Sequence, residues 1–233
     1  MKFNTNDKEK DHPSDTHDFK ITSTDIWMGQ LVREYTLQPE LITLLNTEID
    51  RRKDHPKWNE YLAGNIKDQY NLYFHDGGEK MQQTISESFV NVIKTLAKDY
   101  LDSLPVLESY SSTLTSIWYN DQKKHEYNPI HAHTGVTGMG ITGVMYLKVP
   151  EGINAGTPIK SFFQGQSPNG RTHIFGNISS QLCRRSIAPS LKEGMFYIFP
   201  FDLQHLVYPF EANVVRRSLS FNMSITALKF VVS

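Results

Sequence analysis

The strongest constraint in this sequence is a change of texture near residue 107. Before it, apolar residues recur at the three-and-four spacing of amphipathic helices. After it, they fall in short β-branched and aromatic runs punctuated by Gly, Pro and Asn. A chain with a helical half followed by short strands builds an α+β domain. Strands this short and evenly punctuated bury their faces as a sandwich or barrel of the jelly-roll type. The expected strands are Ser112–Tyr119, Gly140–Val149, Met195–Phe199, Leu206–Tyr208 and Arg216–Thr226. The connection 151–192, rich in Gly, Ser and Asn with room for one or two strands, has the length of a functional lid or binding loop.

Residues 25–106 read as a mainly helical part of the same domain, packed on a core at 107–233. Pro39 suits a first helical turn, because its missing N–H would be unpaired there anyway. Leu41, Leu45 and Ile49 then recur every four residues, and Arg51, Arg52 and Lys53 suit the negative end of the helix dipole. Met81, Ile85, Phe89, Val92, Ile93, Leu96 and Tyr100 form a second stripe. These stripes are packing surfaces. Residues 1–24 are expected to be a mobile polar tail, since the first twenty hold only Met1, Phe3 and Phe19 as apolar residues.

Composition removes several function classes. The 233 residues suit one domain with a sizeable core. One cysteine, Cys183, excludes an intramolecular disulfide framework and any all-cysteine metal site. A net charge of -1 disfavours a nucleic-acid partner. No apolar run approaches the ~18 residues of a membrane span, and the N-terminus lacks the apolar core of a signal peptide. A soluble cytoplasmic protein is the expectation.

The nine histidines remain to be explained. His12 and His17 lie in the tail, and His55, His75, His125 and His173 look like dispersed surface or loop residues. His131 and His133 stand at i and i+2, and in extended backbone such residues share a face. His205 stands just before a short apolar strand. Two adjacent ligands and one distant one can form an open metal site at the mouth of a jelly roll, with positions left for substrate and dioxygen. As a pattern alone, hydrogen-bonded strand histidines are an equal reading.

The strand at Arg216 adds to this. Arg216, Ser218, Ser220 and Asn222 share one face; Arg217, Leu219 and Phe221 share the other. An arginine on a buried face is costly unless it meets a charged ligand, and a guanidinium with a hydroxyl two residues on suits a small carboxylate. Alternation alone leaves open which face is inside.

His131-x-His133, a distant His205 and Arg216-x-Ser218 together resemble the Fe(II)/2-oxoglutarate-dependent dioxygenases, closest to the prolyl-4-hydroxylase-like branch and its bacterial and phage members. The resemblance spans roughly residues 112–226 and implies a double-stranded β-helix. It implies iron(II), 2-oxoglutarate as cosubstrate and dioxygen, in a hydroxylase acting on a peptidyl residue or small molecule in a bacterial or phage-infected cell. His131 and His205 would take the two histidine positions of the iron site. Arg216 would grip the distal carboxylate of 2-oxoglutarate, with Ser218 as hydroxyl partner. Tyr146 would match a tyrosine that bonds the same carboxylate, and Tyr119 one near the keto-acid end.

One departure stands out: where the family has a carboxylate ligand, this chain has His133. Three readings follow: a true three-histidine centre, a two-histidine metal completed otherwise, or a degenerate site that only binds. The first is favoured because the arginine strand is intact. A non-catalytic cupin-like binding or structural protein, and a non-oxidative zinc or manganese cupin enzyme, are the alternatives.

Overall fold

In the computed structural model the described residues are 21–58, 62–75, 80–105, 107–133, 138–155, 167–177, 181 and 184–230. The expected mobile tail lies almost wholly outside them, as does Cys183. In chain order the elements are β1 (Thr22–Trp27), β2 (Leu31–Thr36), α1 (Pro39–Arg51), β3 (Gln69–His75), β4 (Met81–Gln83), α2 (Glu87–Asp102) and β5 (Leu107–Gln122). There follow β6 (Asn128–His131), β7 (Gly140–Lys148), a 3-10 turn at Glu151–Asn154, β8 (Thr172–Phe175), β9 (Ser186–Ile187), β10 (Met195–Pro200), β11 (His205–Val207) and β12 (Arg216–Phe230).

The strands form two antiparallel sheets. The large one has eight strands in the order β1-β2-β10-β7-β12-β5-β3-β4, and the small one has four in the order β6-β11-β8-β9. All five strands expected after residue 107 are present. The 151–192 connection holds β8 and β9, and its residues 156–166, 178–180, 182 and 183 lie outside the described set.

Both expected helices form. α1 starts at Pro39 and buries Leu41, Ile42, Leu45 and Ile49. α2 buries Phe89, Val92, Ile93, Leu96 and Tyr100, as the stripe implied, but it begins at Glu87. Met81 belongs instead to β4, which pairs with β3. A four-residue step from Met81 to Ile85 fits a helix or a strand and turn equally, so periodicity had no power there.

The reading of residues 25–106 as mainly helical needs a larger correction. This stretch supplies β2, β3, β4 and most of β1, which extend the large sheet at both edges. β1 is an exposed polar edge strand with no apolar alternation to detect. In β2 both faces are covered, so Leu31, Val32 and Tyr35 are buried and Arg33 nearly so.

The large sheet separates two packing regions. On one side, residues of α1 and α2 share a core with Ile117, Tyr119, Met145, Leu147, Leu219 and Phe221. On the other, Val144, Tyr146, Tyr197 and Phe199 pack with Ile174 and Ile187 of the small sheet. Each fully buried side chain of this size contributes about 1.5–3 kcal/mol of transfer free energy. At the centre, β7 runs between β10 and β12 and passes Phe221 at Gly143. A Cβ built there would lie 2.6 Å from the Phe221 ring and 2.7 Å from the Tyr197 carbonyl oxygen.

The register of β12 settles which face is inside. Ser218 lies opposite Asn120, Leu219 opposite Tyr119, and Ser220 opposite Trp118. Leu219 and Phe221 therefore point to the helices, and Arg216, Ser218, Ser220 and Asn222 line a cavity between the sheets. Arg217 goes with the first group, where it binds Asp121 through Nε and Asp50 through Nη1 at 2.7 and 2.6 Å.

Candidate metal centre

His131 ends β6, and His205 opens β11 directly opposite it in the ladder. His133 follows two residues after His131, and its backbone N–H donates to the Phe201 carbonyl at 2.8 Å. Local i,i+2 spacing and one cross-strand register thus bring the three imidazoles together. One nitrogen from each lies within 4.8 Å of the others. The Nε2 atoms of His133 and His205 face each other at 3.3 Å.

The other ring nitrogens decide what these rings can do. His131 Nδ1 lies 2.7 Å from the Pro129 carbonyl oxygen, and His205 Nδ1 lies 3.1 Å from that of Leu203. A carbonyl only accepts, so both Nδ1 atoms carry the proton and both Nε2 lone pairs are left for a ligand. His133 is held by its surroundings: its ring stacks between Trp118 and Phe201 at 6.3 and 5.8 Å. Asn222 raises its proton affinity, although the Asn222 Oδ1 atom is buried outside hydrogen-bond geometry.

Burial pushes all three imidazoles below their ordinary 6.5, His133 to about 4 and His205 well below. Mutual repulsion adds to this for His133 and His205. At neutral pH the cluster is uncharged, the form in which imidazole binds a metal.

Arg216 lines the same cavity, of about 380 Å³. It is 1 % exposed. Its Nη2 donates to Ser218 Oγ at 3.2 Å, but Nε and Nη1 are buried without a partner. Among the described residues no carboxylate pairs with it. Burial pushes the guanidinium down to about 10, so it is a cation at neutral pH. A buried cation with two idle donors is costly unless an anion joins it.

The two tyrosines fare differently. Tyr146 lies beside Arg216, with its ring centre 5.5 Å from the guanidinium carbon, but its hydroxyl is bonded to Thr172. Tyr119 is on the wrong face. It points to the helices, stacks on Tyr70 at 5.1 Å and lies under Arg217. Its expected place near the keto-acid end is a correction, because strand alternation gives the cavity to its neighbours Trp118 and Asn120. Those two, and Thr172, were missed. The first two were detectable as the β5 residues that share a face with the polar side of β12; Thr172 lay in a stretch with no strand placed.

Two of the dispersed histidines are also corrected. His55 is buried and bonds the Ile49 carbonyl and the Thr84 hydroxyl, and buried His173 bonds the Tyr208 hydroxyl. Both are structural. His75 ends β3, and His125 sits in a left-handed turn with Nε2 bonded to Glu211 at 2.7 Å.

Two antiparallel sheets thus carry a three-imidazole cluster with the chemistry to hold a metal ion and, in the same cavity, an idle buried guanidinium with the chemistry to bind a carboxylate. Sequence comparison gives a similar family. Residues 116–222, from β5 to β12, match the family described as "Putative 2OG-Fe(II) oxygenase", a little under half the chain but including the three clustered histidines, Arg216, Ser218, Tyr146 and Thr172. Over these residues the chain is similar to the 2-oxoglutarate- and iron(II)-dependent oxygenases, enzymes that use iron(II), 2-oxoglutarate and dioxygen.

Solved structures share the fold. A protein from Streptomyces hygroscopicus, HygX, solved with nickel, 2-oxoglutarate and hygromycin B bound, superposes with a TM-score of 0.53 at 11% identity, covering 84% of this chain and 83% of its own. The α-ketoglutarate-dependent carbocyclase SnoK of nogalamycin biosynthesis gives 0.52 at 11% identity, covering 84% and 79%. A 2OG-Fe(II) oxygenase-family oxidoreductase from Burkholderia pseudomallei gives 0.50 at 13% identity, covering 80% and 79%. Among the curated proteins nothing matches. No helix among the described residues is long and apolar enough to cross a membrane.

Proposed function

We propose that this protein is an oxygenase, a hydroxylase with a three-histidine centre, in which His131, His133 and His205 hold iron(II) and Arg216, with Ser218, binds the distal carboxylate of 2-oxoglutarate. The observation that carries this reading is the Arg216 guanidinium, fully buried with Nε and Nη1 idle in the cavity that the three imidazoles also line. The residues fit the cofactors: three neutral imidazoles with bare nitrogens suit a divalent transition metal, and an unpaired buried guanidinium suits a carboxylate. Bound iron(II) supplies the activation of dioxygen that couples oxidation of 2-oxoglutarate to succinate and carbon dioxide with hydroxylation of a C–H bond.

The chain's own contribution is binding and orientation. The Pro129 and Leu203 carbonyls hold two imidazoles in the metal-binding tautomer. Trp118, Phe199 and Phe201 wall the cluster with apolar rings and limit water. Among the described cavity residues Arg216 is the only permanently charged one, and the rest are aromatic, small apolar, hydroxyl, amide or imidazole groups. That lining favours a primary substrate whose reacting portion is uncharged, a peptidyl residue or a neutral small molecule.

The test is anaerobic titration of 2-oxoglutarate onto the iron(II)-loaded protein, followed by the metal-to-ligand absorption band in the visible. Wild type should develop the band. Arg216→Ala should weaken 2-oxoglutarate binding by at least tenfold, the loss of about two charge-assisted hydrogen bonds, with iron affinity little changed. No band in wild type, or equal loss of metal and 2-oxoglutarate in the variant, would sink the assignment.

A further inference from the structure

We infer that Asn222 is the positioning residue for His133: its side-chain carbonyl is the acceptor for the Nδ1 proton of that ring and so keeps Nε2 bare for the metal. The inference rests on the reading of His133 as a ligand given above. It starts from an asymmetry among the three imidazoles. His131 and His205 are each held by the carbonyl two residues before them, Pro129 for one and Leu203 for the other. The corresponding carbonyl for His133 is that of His131, which belongs to the ladder opposite His205. Among the described residues no backbone carbonyl takes His133 Nδ1, and the hydrogen-bond contact of this ring is through Nε2. A neutral imidazole carries one proton on one of its two nitrogens. A ring whose Nδ1 lacks an acceptor is free to hold that proton on the nitrogen that the metal needs.

Asn222 supplies what is missing. Since His133 Nε2 is turned to His205 at 3.3 Å, Nδ1 is the nitrogen left for another neighbour. Asn222 lines the cavity with His133, and its Oδ1 atom is buried with no donor among the described residues. An idle buried acceptor is costly unless a donor reaches it. The nearness of the two groups is felt at the ring, whose proton affinity Asn222 raises against the effect of burial. Donor and acceptor thus each lack one partner in the same place. The last torsion of both side chains is broad, so a small turn of ring or amide closes the bond.

The strand is built to aim this amide. Asn222 pairs with Thr142 of β7 on one side and Ser116 of β5 on the other. Directly after it the register with β5 shifts: Met223 lies opposite Leu114, which leaves Thr115 as the extra residue of a bulge. A bulge bends the strand and re-aims side chains beside a site. Thr115 donates its hydroxyl to the Asn222 carbonyl at 3.0 Å, and Thr142 donates to the adjacent Phe221 carbonyl at 2.8 Å. The backbone around Asn222 is therefore tied from both flanks while Oδ1 is left idle. Through it, a ring on the chain beyond β6 is oriented by the strand that also carries Arg216.

The test reads the proton and the metal affinity separately, on the full chain. In long-range proton–nitrogen NMR spectra of the Zn(II)-loaded wild type, His133 should carry its proton on Nδ1, slow to exchange. A proton on Nε2 would overturn the inference without any variant. In equilibrium dialysis, Asn222→Leu should weaken Mn(II) binding about tenfold, and it should speed exchange of the Nδ1 proton. Asn222→Asp, which keeps the acceptor, should restore both. In a His133→Ala background Asn222→Leu should cost nothing further, because the amide acts only through that ring. Wild-type Mn(II) affinity in Asn222→Leu, or the same loss with and without His133, would contradict the role. If His133→Ala weakens Mn(II) binding while Asn222→Leu does not, the inference fails and the reading of His133 survives. If His133→Ala binds Mn(II) as wild type does, both fall together.

Discussion

At the scale of single residues, His133 is the most informative side chain. Its Nε2 faces that of His205, and its ring is clamped between two aromatic side chains. That placement supports the proposed role of His133 as a ligand. His133→Asp should retain or tighten metal binding, because a carboxylate offsets the charge of a divalent ion that three neutral imidazoles do not. His133→Ala should lose at least the roughly 10–100-fold that even outer-shell changes cost. Equilibrium dialysis against Mn(II) separates the two; equal affinity in wild type and His133→Ala would place the residue outside the first shell. The three histidines and Arg216 were legible because i,i+2 spacing and a polar residue on alternate positions are local signals. Tyr119 was misplaced by one position: alternation defines two faces without saying which is inside.

At the scale of elements, β12 and β7 show what packing adds to pattern. β12 reads clearly as a strand, but its inward face is set by its register with β5 and β7. β7 approaches β10 and β12 so closely at Gly143 that a methyl group there meets the Phe221 ring and the Tyr197 carbonyl. Gly143→Ala should therefore cost about 1–3 kcal/mol in urea denaturation, the usual penalty for overpacking a filled core. An unchanged midpoint would mean that the Phe221 ring moves freely. The N-terminal strands were illegible for related reasons. β1 has a solvated polar face, β2 is covered on both sides, and β4 is three residues long, so none carries a period-2 signature.

At the scale of the whole molecule, three buried and two half-buried histidines carry the same thermodynamic sign. His55, His131, His133, His173 and His205 all have folded-state values below 6.5, with burial the largest cause in each. Below 6.5 the unfolded chain takes up protons that the folded chain refuses. Their contribution to stability is therefore complete above 6.5 and is lost as pH falls, down to about 4 for His133. The metal-free protein should show a Tm that is flat above neutrality and falls steadily from pH 6.5 to 5. A divalent metal should hold Tm up through the upper part of that range by binding only the folded form. A Tm independent of pH across this window would contradict the burial of these rings. The doubly covered large sheet and the small sheet against it were legible only in outline, since the long 151–192 connection hides β8 and β9 among turn residues.

The pairing of His131 with His205 has one more consequence. β6 and β11 are four and three residues long, so few ladder bonds hold them in alignment, and their pairing already shifts between His205 and Val207. Sliding one strand by a single residue would turn one imidazole to the opposite face and separate the pair. A metal ion held by His131 and His205 would bind only the correct alignment. It would thus act as a proofreader of the small sheet, rewarding the native threading of two strands too short to enforce it themselves.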